Sequence, residues 1–400
     1  MSQFALKMDI VDNARFSPKP DPRFNREAAI SARRFHQGLT GYRPTPLNTM
    51  TQFAHELGVA QVLVKDESQR FDLNAFKILG GTWAIARLLC RKLDLNIENF
   101  SFRQFREAGH PKMTFTTTTD GNHGRGVAWA ARALGQNAVI YMPKGSSPWR
   151  VKHITDLGAE CIVTDMNYDD TVRLTMRTAA EHGWEVVQDT AWEGYTDVPT
   201  WIMQGYATLA DEAAEQMEAM RLKPPTHILL QAGVGAMAGG VLGYFADRYG
   251  AENFNAIIVE PDRADCLYRS AIKGDMVNIG GELNTIMAGL ACGEPNPLGW
   301  PLLRDNARQF ISCEDSVAAL GMRVLGNPPA QDPRTISGES GAVCFGVLAA
   351  ILHHPQRDAL KKQLNLTPES RILTISTEGD TDPQHYREVV WEGKNGITHC

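Results

Sequence analysis

Residues 113–142 read MTFTTTTDGNHGRGVAWAARALGQNAVIYM, and this stretch decides the fold. Its opening, 113–117, has the β-branched composition of a strand. The segment 122–134 carries apolar residues at helical spacing and stops at Gly135, a residue that ends helices by turning left-handed. The apolar run 138–142 then reads as a second strand. The unit recurs downstream: a helix over 149–157 stops at Gly158, 160–163 is a strand, a helix over 168–182 stops at Gly183, and 185–187 is a strand. Strands that alternate with helices imply right-handed crossovers and a parallel sheet.

The same rhythm appears on either side. An apolar strand at 227–231 feeds a glycine-rich turn, a helix over 237–249 and a strand at 256–259. The last strand, 372–376, runs into the polar turn Thr377-Glu378-Gly379-Asp380, and a helical pattern runs from Lys77 through Leu93. The expected architecture is therefore α/β: two open, mostly parallel sheets flanked by helices, with a ligand cleft between a large and a small domain. The small domain is expected at 112–190, and the large one at 1–111 together with 191–400. Strand ends of parallel sheets line such a cleft.

Composition narrows the function classes. Of the 400 residues 43% are hydrophobic and 22% charged, the balance of a folded soluble chain. Lys plus Arg number 40 and Asp plus Glu 46, a formal charge of −6 with no basic block, so no nucleic-acid partner is expected. The longest apolar stretch, 342–352, falls far short of the ~20 residues that cross a bilayer, so no membrane span is expected. An acid interrupts the apolar residues of the N-terminus and no secretory signal is visible, which places the protein in the cytoplasm. The seven cysteines form no Cys-x-x-Cys pair and are expected as thiols in a reducing compartment; whether Cys266 and Cys292 pair stays open. No His-Glu-x-x-His or comparable ligand set occurs, so no metal is expected.

Three segments carry chemistry. In Asn74-Ala75-Phe76-Lys77, Asn74 is a good N-cap, which would set Lys77 on the first helical turn. The partial positive charge of a helix start disfavours an ammonium and suits a lysine joined to a carbonyl; a solvated surface lysine is the plainer alternative. In Thr119-Asp120-Gly121-Asn122-His123-Gly124 a strand gives way to a helix, and free amides there would cradle a carboxylate or phosphate, though Asp120 could simply cap the helix. His123, without a partner at metal spacing, reads as structural. In Gln231-Ala232-Gly233-Val234-Gly235-Ala236-Met237-Ala238 small residues let the backbone approach a phosphate. Gly233, Gly235 and Ala238 also fit the dinucleotide fingerprint, with Glu260 ending the next strand where a ribose-binding acid would lie. This motif alone leaves a nicotinamide-dependent oxidoreductase open.

Taken together, these segments resemble the fold type II family of pyridoxal-phosphate enzymes, which includes the threonine and serine dehydratases and has a tryptophan synthase β-like fold. The likeness runs from Tyr42-Arg43-Pro44-Thr45-Pro46-Leu47 through Gln188-Asp189-Thr190-Ala191-Trp192-Glu193-Gly194-Tyr195 to Ile375-Ser376-Thr377-Glu378-Gly379-Asp380-Thr381. It implies pyridoxal 5′-phosphate as cofactor, with Lys77 in the covalent link, Phe76 beside the ring, and Asn122 on the phenolic oxygen. Gly233, Val234, Gly235 and Ala236 would hold the phosphate, and Thr377, or else Ser376, would face the ring nitrogen. Glu339, in Ser337-Gly338-Glu339-Ser340-Gly341, resembles a further site loop. Substrate contacts are expected from Thr119, Asp120, Gly121, Asn122 and Asp189. The dehydratases commonly carry serine where this chain has Asp120. A carboxylate there can act as base on one face of Cα while Lys77 acts on the other, and it suits a substrate with a second ammonium, as Asp189 does. The resemblance thus implies an α,β-elimination that turns 2,3-diaminopropionate, L and D, into pyruvate and two ammonia, with Lys77, Asp120 and Asp189 catalytic. A serine or threonine dehydratase is the nearest alternative. A homodimer is the family expectation.

Overall fold

The computed structural model describes residues 3–119 and 121–397, Asp169 by its backbone only. Among the described residues eleven strands form two sheets: β1 (Met8–Asp12), β2 (Leu47–Thr49), β3 (Gln61–Asp66), β4 (Thr114–Thr118), β5 (Asn137–Met142), β6 (Glu160–Val163), β7 (Glu185–Val186), β8 (His227–Gln231), β9 (Asn255–Pro261), β10 (Gln309–Cys313) and β11 (Arg371–Ser376). The larger sheet has the order β1-β10-β9-β8-β11-β3-β2, and the smaller β6-β5-β4-β7. The smaller sheet is wholly parallel. In the larger one β1 and β2 are antiparallel edges around five parallel strands.

The central strands of the larger sheet are almost continuously buried, as expected of a parallel sheet covered on both faces. Alternation along each strand sends neighbouring residues to opposite cores. Val62, Val64, Leu229, Ile257 and Val259 enter one core, with the helix Glu339–His353; Leu63, Ile228, Leu230, Ala256 and Ile258 enter the other. The second core is continuous with the smaller sheet through Phe115 and Ile140. The apolar stretch 342–352 lies in the Glu339–His353 helix and is buried all round. Among the described residues no helix is long and apolar enough to cross a membrane.

Two glycines set the position of the helix Lys77–Leu93, which lies between the helices Asp197–Ala219 and Asn122–Ala133. A Cβ on Gly205 would stand 2.5 Å from the Leu79 carbonyl oxygen, and one on Gly126 would stand 2.9 Å from Ile78 Cα and 3.1 Å from the Lys77 carbonyl oxygen. The start of the Lys77 helix is therefore held by backbone contact from both sides.

The loop before that helix is anchored by a buried ionic cluster. Glu212, fully buried, accepts from Lys65 Nζ at 2.7 Å and from Arg70 Nη2 at 2.8 Å, and Arg70 Nε donates to Glu67 at 2.8 Å. Two cations and two carboxylates balance. Burial by itself would raise the Glu212 carboxyl, but the adjacent Arg70 and Lys65 charges override it and lower it far below its usual range. Beyond the cluster, Phe71, Asp72 and Asn74 all adopt left-handed φ, a strain held in place by the loop's fixed ends.

Candidate active site

Lys77 is the first residue of its helix, although not by the expected cap. Asn74 has φ 55° and makes no side-chain cap; Phe76 occupies the cap position. The segment is pinned to the end of β11. Gly379 N donates to Asn74 O at 2.8 Å, Ala75 bridges Glu378, and Phe76 N donates to Thr377 O at 3.1 Å. Long-range backbone pairing has replaced the local side-chain cap and forced the left-handed turn.

Lys77 Nζ donates to Asp189 Oδ2 at 2.8 Å, with the two side chains 17% and 8% exposed. Burial by itself would raise the Asp189 carboxyl, but the Lys77 charge, with that of His123 next, overrides it and holds it at about 2. Asp189 is thus a fixed carboxylate. Its backbone is held on both sides: Asn296 Nδ2 donates to Asp189 O at 3.2 Å, and the neighbouring Gln188 Oε1 accepts from Thr118 N and Thr117 Oγ1. His123 Nε2 meets the Val187 carbonyl at 2.7 Å, which fits its structural reading.

The 119–122 turn is organised by Thr119. Its hydroxyl oxygen accepts from Gly121 N at 2.9 Å and Gly124 N at 3.0 Å, and its own N–H donates to Tyr141 O. Of the amides expected on a ligand, that of Gly121 is taken by the Thr119 hydroxyl and that of Thr119 by the Tyr141 carbonyl of β5, and neither residue lies on the cavity wall described below. Asp120, expected here as a base, lies outside the described residues. Asn122 does reach the cavity, and its Nδ2 donates to Glu378 Oε2 at 2.5 Å.

Beyond β8, Gly235 adopts φ 90° at the cap of the helix Ala236–Tyr249. Only glycine takes that conformation without strain, and it leaves the backbone of 233–236 open at a helix start. Glu260, the candidate ribose acid, is fully buried and accepts from Leu267 N at 2.9 Å and Tyr268 N at 2.6 Å. It caps the helix Cys266–Lys273 and is not offered to a ribose, which removes the main support for the nicotinamide reading. Six described cysteines are free thiols, Cys266 and Cys292 among them; Cys400 lies outside the described residues.

These elements surround one cavity of about 1340 Å³ whose wall includes Phe76, Lys77, Asn122, Asp189, Thr377 and the 233–236 turn. Ser376 is not on that wall; its hydroxyl donates to Ser337 Oγ at 2.8 Å. Glu339 lines the cavity and is bonded to His385 Nδ1, whose imidazole is raised by that hydrogen bond. Glu378 joins the two sides of the cleft, since Oε1 accepts Ser340 N at 3.1 Å while Oε2 holds Asn122. Gln231, Glu378, Asn296 and His385 were not singled out by the sequence. The first two stand inside recognised motifs, and nothing local marks the others. No cluster of metal-ligating groups occurs among the described residues.

An amine at a helix start, a glycine turn at a second helix start and a hydroxyl just past the end of β11 form a donor set suited to an aldehyde, a phosphate and a ring nitrogen. The chain belongs to the pyridoxal-phosphate dependent enzymes: the sequence profile of that description matches residues 39–378, and the architecture is that of fold type II. Its similarity to particular members is high. It is 68% identical over 397 residues to diaminopropionate ammonia-lyase of Escherichia coli strain K12, covering 99% of this chain and 100% of that protein. The crystal structure of the selenomethionine-incorporated holo diaminopropionate ammonia-lyase from Escherichia coli superposes with a TM-score of 0.97 at 66% identity, covering 100% of both chains. The structure of that enzyme in complex with an aminoacrylate-PLP azomethine reaction intermediate gives 0.95 at 66% identity, covering 99% of this chain and 100% of the other.

Proposed function

We propose that this chain eliminates the β-amine of 2,3-diaminopropionate, L and D, to yield pyruvate and two molecules of ammonia. The observation that carries the proposal is the 2.8 Å contact between Lys77 Nζ and the Asp189 carboxylate inside the cavity. The relatives that share this fold at 66–68% identity and bear the diaminopropionate name support the choice of substrate.

Lys77 would hold the cofactor, Phe76 would lie beside its ring, and Asn122, steadied by Glu378, would meet its phenolic oxygen. The backbone of Gly233, Val234, Gly235 and Ala236 would take the phosphate. Thr377, on the cavity wall, rather than Ser376, which is turned to Ser337, would face the ring nitrogen. Pyridoxal phosphate, when bound, supplies an electron sink for the pair left at Cα. The Lys77 amine, freed when the substrate's α-amine takes its place, would take the Cα proton of the L-isomer, and the Asp120 carboxylate would take that of the D-isomer. Thr119 and Gly121 shape the start of the helix and leave Asn122, on the cavity wall, as the place where the substrate carboxylate would rest. The Asp189 carboxylate, lowered here by the Lys77 charge, would pair with the substrate's second ammonium in place of that charge and orient it. That group departs as neutral ammonia and needs no proton from the protein. A serine hydroxyl would need one.

The 112–190 segment would move as the small domain against 1–111 and 191–400. The enzyme would act as a homodimer in the cytoplasm, readings that rest on the family likeness and the cysteine usage. The deciding experiment is steady-state pyruvate formation from diaminopropionate, serine and threonine. A clear preference for the diamine is expected, and a preference for serine overturns the substrate assignment.

A further inference from the structure

Behind the cavity wall, three side chains fix the direction of one proton. Gln231, at the end of β8, is 1% exposed. Its Nε2 donates to the Ile375 carbonyl at 2.9 Å and to Thr377 Oγ1 at 3.0 Å, and its Oε1 accepts the Cys344 thiol at 3.3 Å. A backbone carbonyl can only accept, so the nitrogen of the Gln231 amide must be the atom beside Ile375, and the amide cannot be turned over. Cys344 agrees with this orientation: burial pushes its thiol well above the usual range, so it keeps an S–H that requires an acceptor. Thr377 Oγ1 therefore receives a hydrogen from Gln231. Its own single O–H is left for another acceptor, and Thr377 lines the cavity.

We propose that Gln231 is a positioning residue that makes the Thr377 hydroxyl a hydrogen-bond donor toward the cavity, and so holds the cofactor's ring nitrogen in its unprotonated form. This rests on the reading of Thr377 as the partner of that nitrogen. A donated O–H satisfies a nitrogen lone pair, whereas a protonated ring nitrogen needs an acceptor in the same place. With Glu at position 231 the relation reverses. A carboxylate has no N–H to give, accepts the Thr377 O–H, and turns an oxygen lone pair toward the ring.

The test is nitrogen NMR of the holoenzyme reconstituted with pyridoxal phosphate labelled at the ring nitrogen. In the native protein the resonance is that of a neutral ring throughout the neutral pH range. Gln231→Glu raises the ratio of protonated to neutral ring about tenfold, one pKa unit. Gln231→Met, which neither gives nor takes a comparable hydrogen bond, moves it about threefold in the same direction and serves if the glutamate variant does not fold. A protonated ring in the native enzyme, or a native-like resonance in every folded variant whatever its thermal stability, overturns the role of Gln231. A native protein that takes up no labelled cofactor overturns the cofactor site, and the inference with it; the visible spectrum of the same sample separates that failure from the first.

Discussion

Replacing Asp189 with Asn keeps the side chain's shape and removes its charge. The carboxylate stands 2.8 Å from Lys77 Nζ and is only 8% exposed. The environment moves its carboxyl from an ordinary 3.8 down to about 2 despite a burial that pushes the other way. That displacement of nearly two units corresponds to ~2–3 kcal/mol of attraction for a neighbouring cation. Spent on a substrate ammonium, the same attraction is worth about 30- to 150-fold in kcat/KM for diaminopropionate. Serine offers no second ammonium at the β-position, so its turnover should fall much less. Pyruvate release, read by coupling to lactate dehydrogenase and following NADH absorbance, measures both substrates in one format. A loss below about threefold for the diamine, or an equal loss for serine, would refute the pairing of Asp189 with that ammonium.

Three further outcomes follow from the buried groups and the helix contacts. Burial lowers the imidazoles of His36 and His227 to about 3 and about 4, so the folded chain keeps them neutral while the unfolded chain protonates both below about pH 6.5. Stability from these two groups is full above that value and is lost as pH falls, by ~4 kcal/mol together at about pH 5; urea unfolding at several pH values should show it, with roughly half remaining in His227→Gln. Arg125 is 9% exposed, its Nε and Nη1 lack partners among the described residues, and burial lowers its guanidinium to about 10. Arg125→Met should therefore stabilise the fold by ~1–3 kcal/mol in thermal denaturation; a lower Tm would show that the charge is compensated. Gly205→Ala places a methyl 2.5 Å from the Leu79 carbonyl oxygen, so it should cost ~1–3 kcal/mol and slow turnover by shifting the Lys77 helix; unchanged Tm and kcat would argue against that wedge.

The parallel core was readable because its periodicity changes sharply between strand and helix. Gly135, Gly158 and Gly183 each adopt the positive φ that their positions after helices require. The strand at 160–163 and the helix at 168–182 have the expected limits. The antiparallel edges β1 and β2 were not readable: they are short, partly exposed, and defined by partners distant in the chain. Asn74 shows the limit of local rules. Its residue type suits a cap, but pairing with the end of β11 decides its conformation. Glu260 shows another, since its place at a strand end suits a ribose while its oxygens are taken by the next helix. Lys77, Asn122, Asp189, Thr377 and the glycine turn were named from sequence and meet at one cavity. Asn296 and His385 join the site only through tertiary contact, and no spacing rule could have announced them.

The pairing of 74–76 with 377–379 has a consequence for synthesis. Asn122 and Glu378, which touch across the cleft, are 256 positions apart. A nascent chain therefore carries its reactive lysine long before the wall that receives it has left the ribosome. Contacts of such long sequence separation form late and slowly. Fragments stalled or clipped ahead of β11 would display an ordinary amine, with no niche to capture an aldehyde, so competence arrives only when translation is nearly finished.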